Sequence, residues 1–422
     1  MAFISQPWDG GDPLKPAGSV GLWGWHVSRR LTRSCEVSVF LPTGGNELHS
    51  ERREGVQLIR LSSRTDTRLI SLVRRCRPLL KKHQINFGSS LFYRMYATAA
   101  AKAAAARRCD VIHIHNLSQF VPIMRRINPD ARIILHMHCN WLAQLSRKLV
   151  DRRLASADAI IGCSEHVTSA IRNRFPNHAH RCSTIFNGVD TGIFHASASK
   201  HQSHNVAVFV GRISPEKGLH VLLDAFRQVD ELRFNSRLKI IGGWHIVPRN
   251  FIVDLDPDPD VRSLRRFYGK ENYASLLPRY LASELREKVS FVGELPQERL
   301  VTHLQHATVL VAPSLAEAFG MPVVEAMAVG LPVVASRVGG LPEIVVDEVT
   351  GVLTQPADPT ALAQSILRIL TDRALARSMG EAGRERAVSL FTWENTVNNL
   401  LARYTDITRG TSASPRSLAE IL

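Results

Sequence analysis

Short runs of β-branched and apolar residues recur along this chain with helical stretches between them, and one polar gap divides them into two series. This pattern restricts the chain to parallel sheets covered on both faces, because parallel strands need long crossovers and helices supply them. The first series places strands at Ala2–Gln6, Glu36–Leu41, Asp110–His115, Ala131–His138 and Asp158–Cys163, and a helix at His26–Thr32. The gap, His195–Asn205, has almost no large apolar side chain and reads as a linker. The second series places strands at Val206–Gly211, Leu238–Ile241, Val289–Val292, Thr308–Ala312 and Val333–Ser336. A final helix is expected over Trp393–Tyr404. The Ser/Thr/Arg-rich end should be disordered.

A chain of 422 residues is too long for one hydrophobic core. The expected architecture is therefore α/β, with two Rossmann-like doubly wound domains facing across a cleft. The boundaries are 1–194, a linker at 195–205, 206–390, a helix at 391–408 returning towards the first domain, and a tail at 409–422.

Charge separates the two halves. Residues 1–195 carry 28 Lys and Arg against 13 Asp and Glu, whereas residues 196–422 carry 25 of each, so the whole excess of +15 sits in the first half. An anionic partner for that half is the functional reading, and solvated arginines are the bland one. The start, Met1–Gln6, does not resemble a secretory signal, and no apolar run approaches the ~20 residues that span a bilayer. A cytoplasmic protein is expected. The six cysteines form no C-x-x-C pair, which argues against a zinc or redox motif.

The chemistry concentrates in the second half. Glu317 and Glu325 bracket E-A-F-G-M-P-V-V-E, where a buried strand turns into a helix with Pro322 in its first turn. A loop that delivers backbone N–H groups to a helix N-terminus favours an anion. Carboxylates repel phosphate, so the partners of these two are hydroxyls, and an ionised carboxylate accepts from a diol with both oxygens. Upstream, V-G-R-I-S-P-E-K-G sets Arg212 and Lys217 where they could clamp a diphosphate. A phosphate cradle with two hydroxyl readers describes a sugar nucleotide. Gly18, Ser19 and Gly21 enter a helix after the first strand, a second candidate cradle.

These segments, F-V-G-R-I-S-P-E-K-G, I-F-N-G-V-D, P-S-L-A-E-A-F-G-M-P-V-V-E-A-M-A and G-G-L-P-E-I-V, resemble the retaining GT-B glycosyltransferases of family 4. The resemblance is dense from about residue 155 to 405 and looser before it. It implies that Arg212 and Lys217 hold the donor diphosphate, Glu317 contacts the transferred sugar and Glu325 holds the ribose diol. Phe319, Gly320 and Met321 would form the loop beside sugar and phosphate, and His138 would line the cleft next to the reacting sugar. Ser19 departs from the Gly-Gly usual at its position. The resemblance further implies no cofactor and a UDP- or GDP-type sugar as donor, and the basic first half suggests a glycan, polysaccharide or lipid-linked acceptor.

Competing readings stay open. A sugar-nucleotide epimerase or phosphorylase could use a similar scaffold, and a non-catalytic anion- or nucleic-acid-binding protein would rest on charge alone, with no recognisable nucleic-acid motif beside it. Arg212 by itself could form a surface ion pair with Glu216. Asp254–Asp260 contains D-x-D, but in a proline-rich stretch that reads as a solvent loop, so no metal site is expected. His113/His115 and His136/His138 each share a strand face, for which strand-end histidines are the simpler account than a metal site. The basic stretch from Arg68 to Lys82 has an apolar stripe suited either to a sheet or to an anionic membrane at the inner face.

Overall fold

The computed structural model describes residues 1–9, 18–45, 49–75, 88–197, 205–232, 235–269, 271–281 and 285–409. Most of the 195–205 stretch, the part of the basic stretch from 76 to 82 and the tail from 410 lie outside them. The chain forms two compact units, Met1–Phe186 with the segment from Trp393 onward, and Asn187–Thr392.

The first unit contains β1 (Ala2–Ile4), β2 (Ser38–Thr43), β3 (His49–Arg53), β4 (Val56–Ser62), β5 (Val111–His115), β6 (Arg132–Met137), β7 (Ala159–Gly162) and β8 (Cys182–Thr184). They form one sheet in the order β3-β4-β2-β1-β5-β6-β7-β8. Every pair is parallel except β3 and β4, a hairpin closed by Glu54 and Gly55 at φ 47 and 81. Two positive φ values are what a two-residue hairpin needs to match strand twist, and glycine accepts one of them without strain. Helix Ser19–Leu31 starts seven residues before the expected His26. It packs on helix Trp393–Arg409, where the rings of His26 and Trp393 stack with centroids 5.0 Å apart and Arg30 Nε donates to Glu394 at 2.8 Å.

The second unit contains β9 (Val206–Val210), β10 (Arg237–Ile241), β11 (Val289–Gly293), β12 (Val309–Ala312), β13 (Val333–Ser336) and β14 (Gly351–Thr354). The order is β11-β10-β9-β12-β13-β14 and all pairs are parallel. In the stretch between β10 and β11, Asp254–Asp260 is partly or fully exposed, as the solvent-loop reading expected, but its flanks are not loop. The stretch inserts Val253, Val261, Leu264, Phe267, Tyr273 and Leu277 into the core, and each such burial stabilises by ~1.5–3 kcal/mol. In this unit strand order reverses between β9 and β12, and in the other between β1 and β5. Open α/β sheets bind ligands at the carboxyl ends of the strands beside such a reversal.

Candidate active site

β9 and β12 pair in register through Val208 and Leu310, so the segments leaving their carboxyl ends emerge side by side. Arg212 and Lys217 follow β9, and Glu317 follows β12. Lys217 Nζ donates to Glu317 Oε2 at 2.6 Å with both side chains largely shielded from water. Ser314 Oγ adds a longer contact to the same carboxylate oxygen at 3.4 Å.

Arg212 Nη2 donates to Glu216 Oε1 at 3.1 Å. The pair is not the surface ion pair considered from sequence, because Glu216 is 1% exposed while Arg212 keeps 44% of its side chain in water. Glu216 also accepts from Ser214 Oγ, and its main-chain oxygen accepts from Leu315 N–H at 2.8 Å. It thereby ties the arginine loop to the loop that bears Glu317.

Helix Met321–Ala328 begins after Gly320, with Pro322 in the first turn, where a missing N–H costs nothing. Phe319 is buried edge-on against Phe391 at 5.9 Å, so its ring anchors the loop. Glu325 lies one turn into the helix and is 5% exposed. Gln297 Nε2 donates to its Oε1 at 3.3 Å. Burial pushes its carboxyl up to about 8, with the Gln297 contact pulling the other way.

Gly339 braces the site from behind. A Cβ there would lie 1.6 Å from the Glu317 carbonyl oxygen, which instead accepts from Gly340 N–H at 3.2 Å. Sequence reasoning quoted G-G-L-P-E-I-V without giving it a task. Gln297, 28 residues from its partner, carried no signal of this kind, and Glu216 was visible only as a surface partner of Arg212.

Arg212, Lys217, Glu317, Phe319, Gly320, Met321 and Glu325 thus share the second unit. Gly18, Ser19, Gly21 and His138 belong to the first, where Gly18 is an exposed residue heading helix Ser19–Leu31. His138 follows β6. Its N–H donates to Asn116 Oδ1 at 2.6 Å and its Nε2 lies 3.1 Å from His115 Nδ1. The acids of the D-x-D stretch are occupied locally. Asp254 pairs with Arg249 and Arg265, Asp256 accepts from Asp258 N–H, and Asp258 caps the helix Pro259–Ser263.

Two family descriptions match adjoining parts of the chain, Glycosyltransferase Family 4 over residues 25–192 and Glycosyl transferases group 1 over 191–386. An uncharacterised glycosyltransferase of Methanocaldococcus jannaschii is 30% identical over 252 residues, which are 60% of each chain. The lipopolysaccharide 1,2-N-acetylglucosaminetransferase of Salmonella typhimurium is 29% identical across 68% of this chain and 70% of its own. Among solved structures, sucrose-phosphate synthase from Thermosynechococcus elongatus superposes with a TM-score of 0.73 at 26% identity, over 97% of this chain and 99% of the other. Anabaena HepE, solved with UDP and glucose, has the same fold with a TM-score of 0.70 at 19% identity, over 96% and 99% of the two chains.

Proposed function

The chain belongs to the GT-B glycosyltransferases of family 4 and group 1, and from that premise we propose that it moves a sugar from a nucleoside-diphosphate sugar to an acceptor, retaining the anomeric configuration. The observation that carries the reading is the Lys217–Glu317 pair at the β9/β12 reversal, with Arg212 beside it and Glu325 one turn into the adjoining helix. The unit Asn187–Thr392 binds the donor, and the unit that begins at Met1 binds the acceptor.

Cleaving a glycosyl–diphosphate bond builds negative charge on the departing phosphate. Arg212 and Lys217 receive that charge together with the backbone N–H groups of Phe319, Gly320 and Met321, as preorganised donors do in low-dielectric sites. Two fixed cations perform the task that a divalent ion performs elsewhere, so no metal is needed at the diphosphate. Glu317 accepts from hydroxyls of the transferred sugar and holds Lys217 ready, and Glu325 accepts from the ribose diol. His138 lines the reacting sugar, and Gly18, Ser19 and Gly21 approach the donor. The Salmonella relative acts on lipopolysaccharide by its name, and the +15 of the first half suits an anionic acceptor. A glycan or lipid-linked acceptor follows, with the enzyme working at the inner membrane face.

Thermal stabilisation against a panel of nucleoside diphosphates and their sugars tests this reading. Ligand binding to the folded state raises the unfolding temperature by mass action. One base should give a selective upward shift that Glu325→Ala loses. A flat panel at millimolar ligand would overturn the donor assignment.

A further inference from the structure

Four histidines lie together in the first unit. His113 and His115 alternate on β5 and so share one face of the sheet. β6 pairs His136 directly beside His115, and His138 follows two residues later. Trp23, from helix Ser19–Leu31, covers the group with its ring centroid 4.9–5.5 Å from those of all four imidazoles. His113, His115 and His136 are at most 2% exposed.

A buried imidazole should have both nitrogens satisfied, and these do not. His113 Nδ1 meets the Tyr404 hydroxyl at 2.8 Å and His115 Nδ1 meets His138 Nε2 at 3.1 Å, which leaves Nε2 as the inner nitrogen of both rings. His113 Nε2 lies 3.1 Å from His136 Nδ1. Among the described residues, His115 Nε2 and His136 Nε2 have no hydrogen-bond partner. One nitrogen from each of His113, His115 and His136 lies within 4.8 Å of the other two. Burial holds all three rings well below the ordinary imidazole range, so they present lone pairs rather than charge.

We propose that His113, His115 and His136 form a three-histidine site for a divalent late first-row transition metal, with zinc the type ion and a water carried in with it as the fourth ligand. Neutral imidazoles suit Zn²⁺, Cu²⁺ and Ni²⁺, whereas Mg²⁺ and Ca²⁺ demand oxygen. Tyr404 and His138 engage the outer nitrogens as partners of metal-bound histidines do. Nitrogens on one zinc sit roughly 3.3 Å apart, so loading draws the rings together and exchanges the His113–His136 contact for bonds to the ion. The site is shielded from water, so it fills as the unit folds and pins β5 and β6 beneath helix Trp393–Arg409.

The test uses the full chain, expressed without a histidine tag in zinc-supplemented medium and dialysed. Plasma emission should find about one zinc per chain. Refolding with Co²⁺ should give a visible ligand-field band that excess Zn²⁺ abolishes. His136→Gln and His115→Asn should each lose the metal, while His166→Ala and His180→Ala, at exposed positions, keep it. Metal at background in the wild type after both expression and refolding would overturn the proposal, as would full retention in His136→Gln. If both core variants fail to fold, the wild type decides alone, since its refolding yield should rise with stoichiometric Zn²⁺ and an unchanged yield with no Co²⁺ band refutes the site.

Discussion

Glu325 and Glu317 are eight positions apart, yet their surroundings give them different chemistry. Glu325 is buried beside a single amide donor, and its carboxyl rises from an ordinary 4.5 to about 8. Between those values the folded chain keeps a proton that the unfolded chain releases, so this group lowers stability as pH climbs from 4.5 to about 8 and not beyond. Glu325→Gln should remove that slope, leaving the variant more stable than wild type at pH 8.5 by up to about 5 kcal/mol and nearly equal to it at pH 4.5. Urea unfolding at the two pH values measures it. A ribose diol favours the ionised form, so nucleotide affinity should strengthen across the same window in wild type and stay flat in the variant. Glu317 instead meets a cation at 2.6 Å. If Lys217 and Glu317 act as one device, Lys217→Ala and Glu317→Ala should each lower kcat by roughly 10²–10³. The double variant should be little worse than either single one, with nucleotide Kd changed far less than kcat. Additive losses would assign the two residues separate tasks.

At the scale of elements, the site depends on loops that touch only because glycines let them. Gly339 has φ 57, and a methyl group there would overlap the carbonyl of Glu317. Gly339→Ala must therefore displace the loop that carries Glu317. It should cost at least about 2 kcal/mol in thermal unfolding and most of the turnover, although no side chain of the site is altered. This dependence bears on what was legible. The strands that β-branched runs placed are found there, because a strand buried on both faces shows its apolar run plainly; Val333–Ser336 agrees to the residue, whereas the short β8 and β14 were not placed. The hairpin of β3 and β4 escaped because His49–Arg53 is polar and mostly exposed, and the signal was the Glu54-Gly55 turn between them. The insertion before β11 escaped because its short helices bury single side chains from scattered positions, so no period betrays them. That the segments bearing Lys217 and Glu317 meet was legible, since the segments after β9 and β12 emerge together once the sheet order is known. Gln297 was not, because its contact is set by packing that no spacing encodes, and for Glu216 the four-residue spacing announced the pair with Arg212 but not its burial.

At the scale of the whole molecule, the uneven charge needs a physical outlet. Among the described residues no helix is long and apolar enough to cross a bilayer. Helix Arg64–Arg75 offers a means: Ile70 faces the interior at 6% exposure, while Leu69 and Leu72 are 39% and 59% exposed, so only part of the expected apolar stripe packs inward. Two exposed leucines beside arginines suit an interface in which apolar groups enter the headgroup layer and cations meet anionic lipid. Near such a surface each cation is worth about 1 kcal/mol and acts only within a Debye length, about 10 Å at 0.1 M salt. The full chain should therefore sediment with vesicles rich in anionic phospholipid at low salt, release by about 0.5 M salt, and ignore neutral vesicles. Glu substituted at both Leu69 and Leu72 should weaken that binding while leaving nucleotide affinity intact, because Arg212, Lys217 and Glu325 belong to the other unit. Equal binding to neutral vesicles would remove the charge argument. If salt-sensitive binding to generic duplex DNA appeared instead, with none to lipid, the excess of +15 would point to nucleic acid.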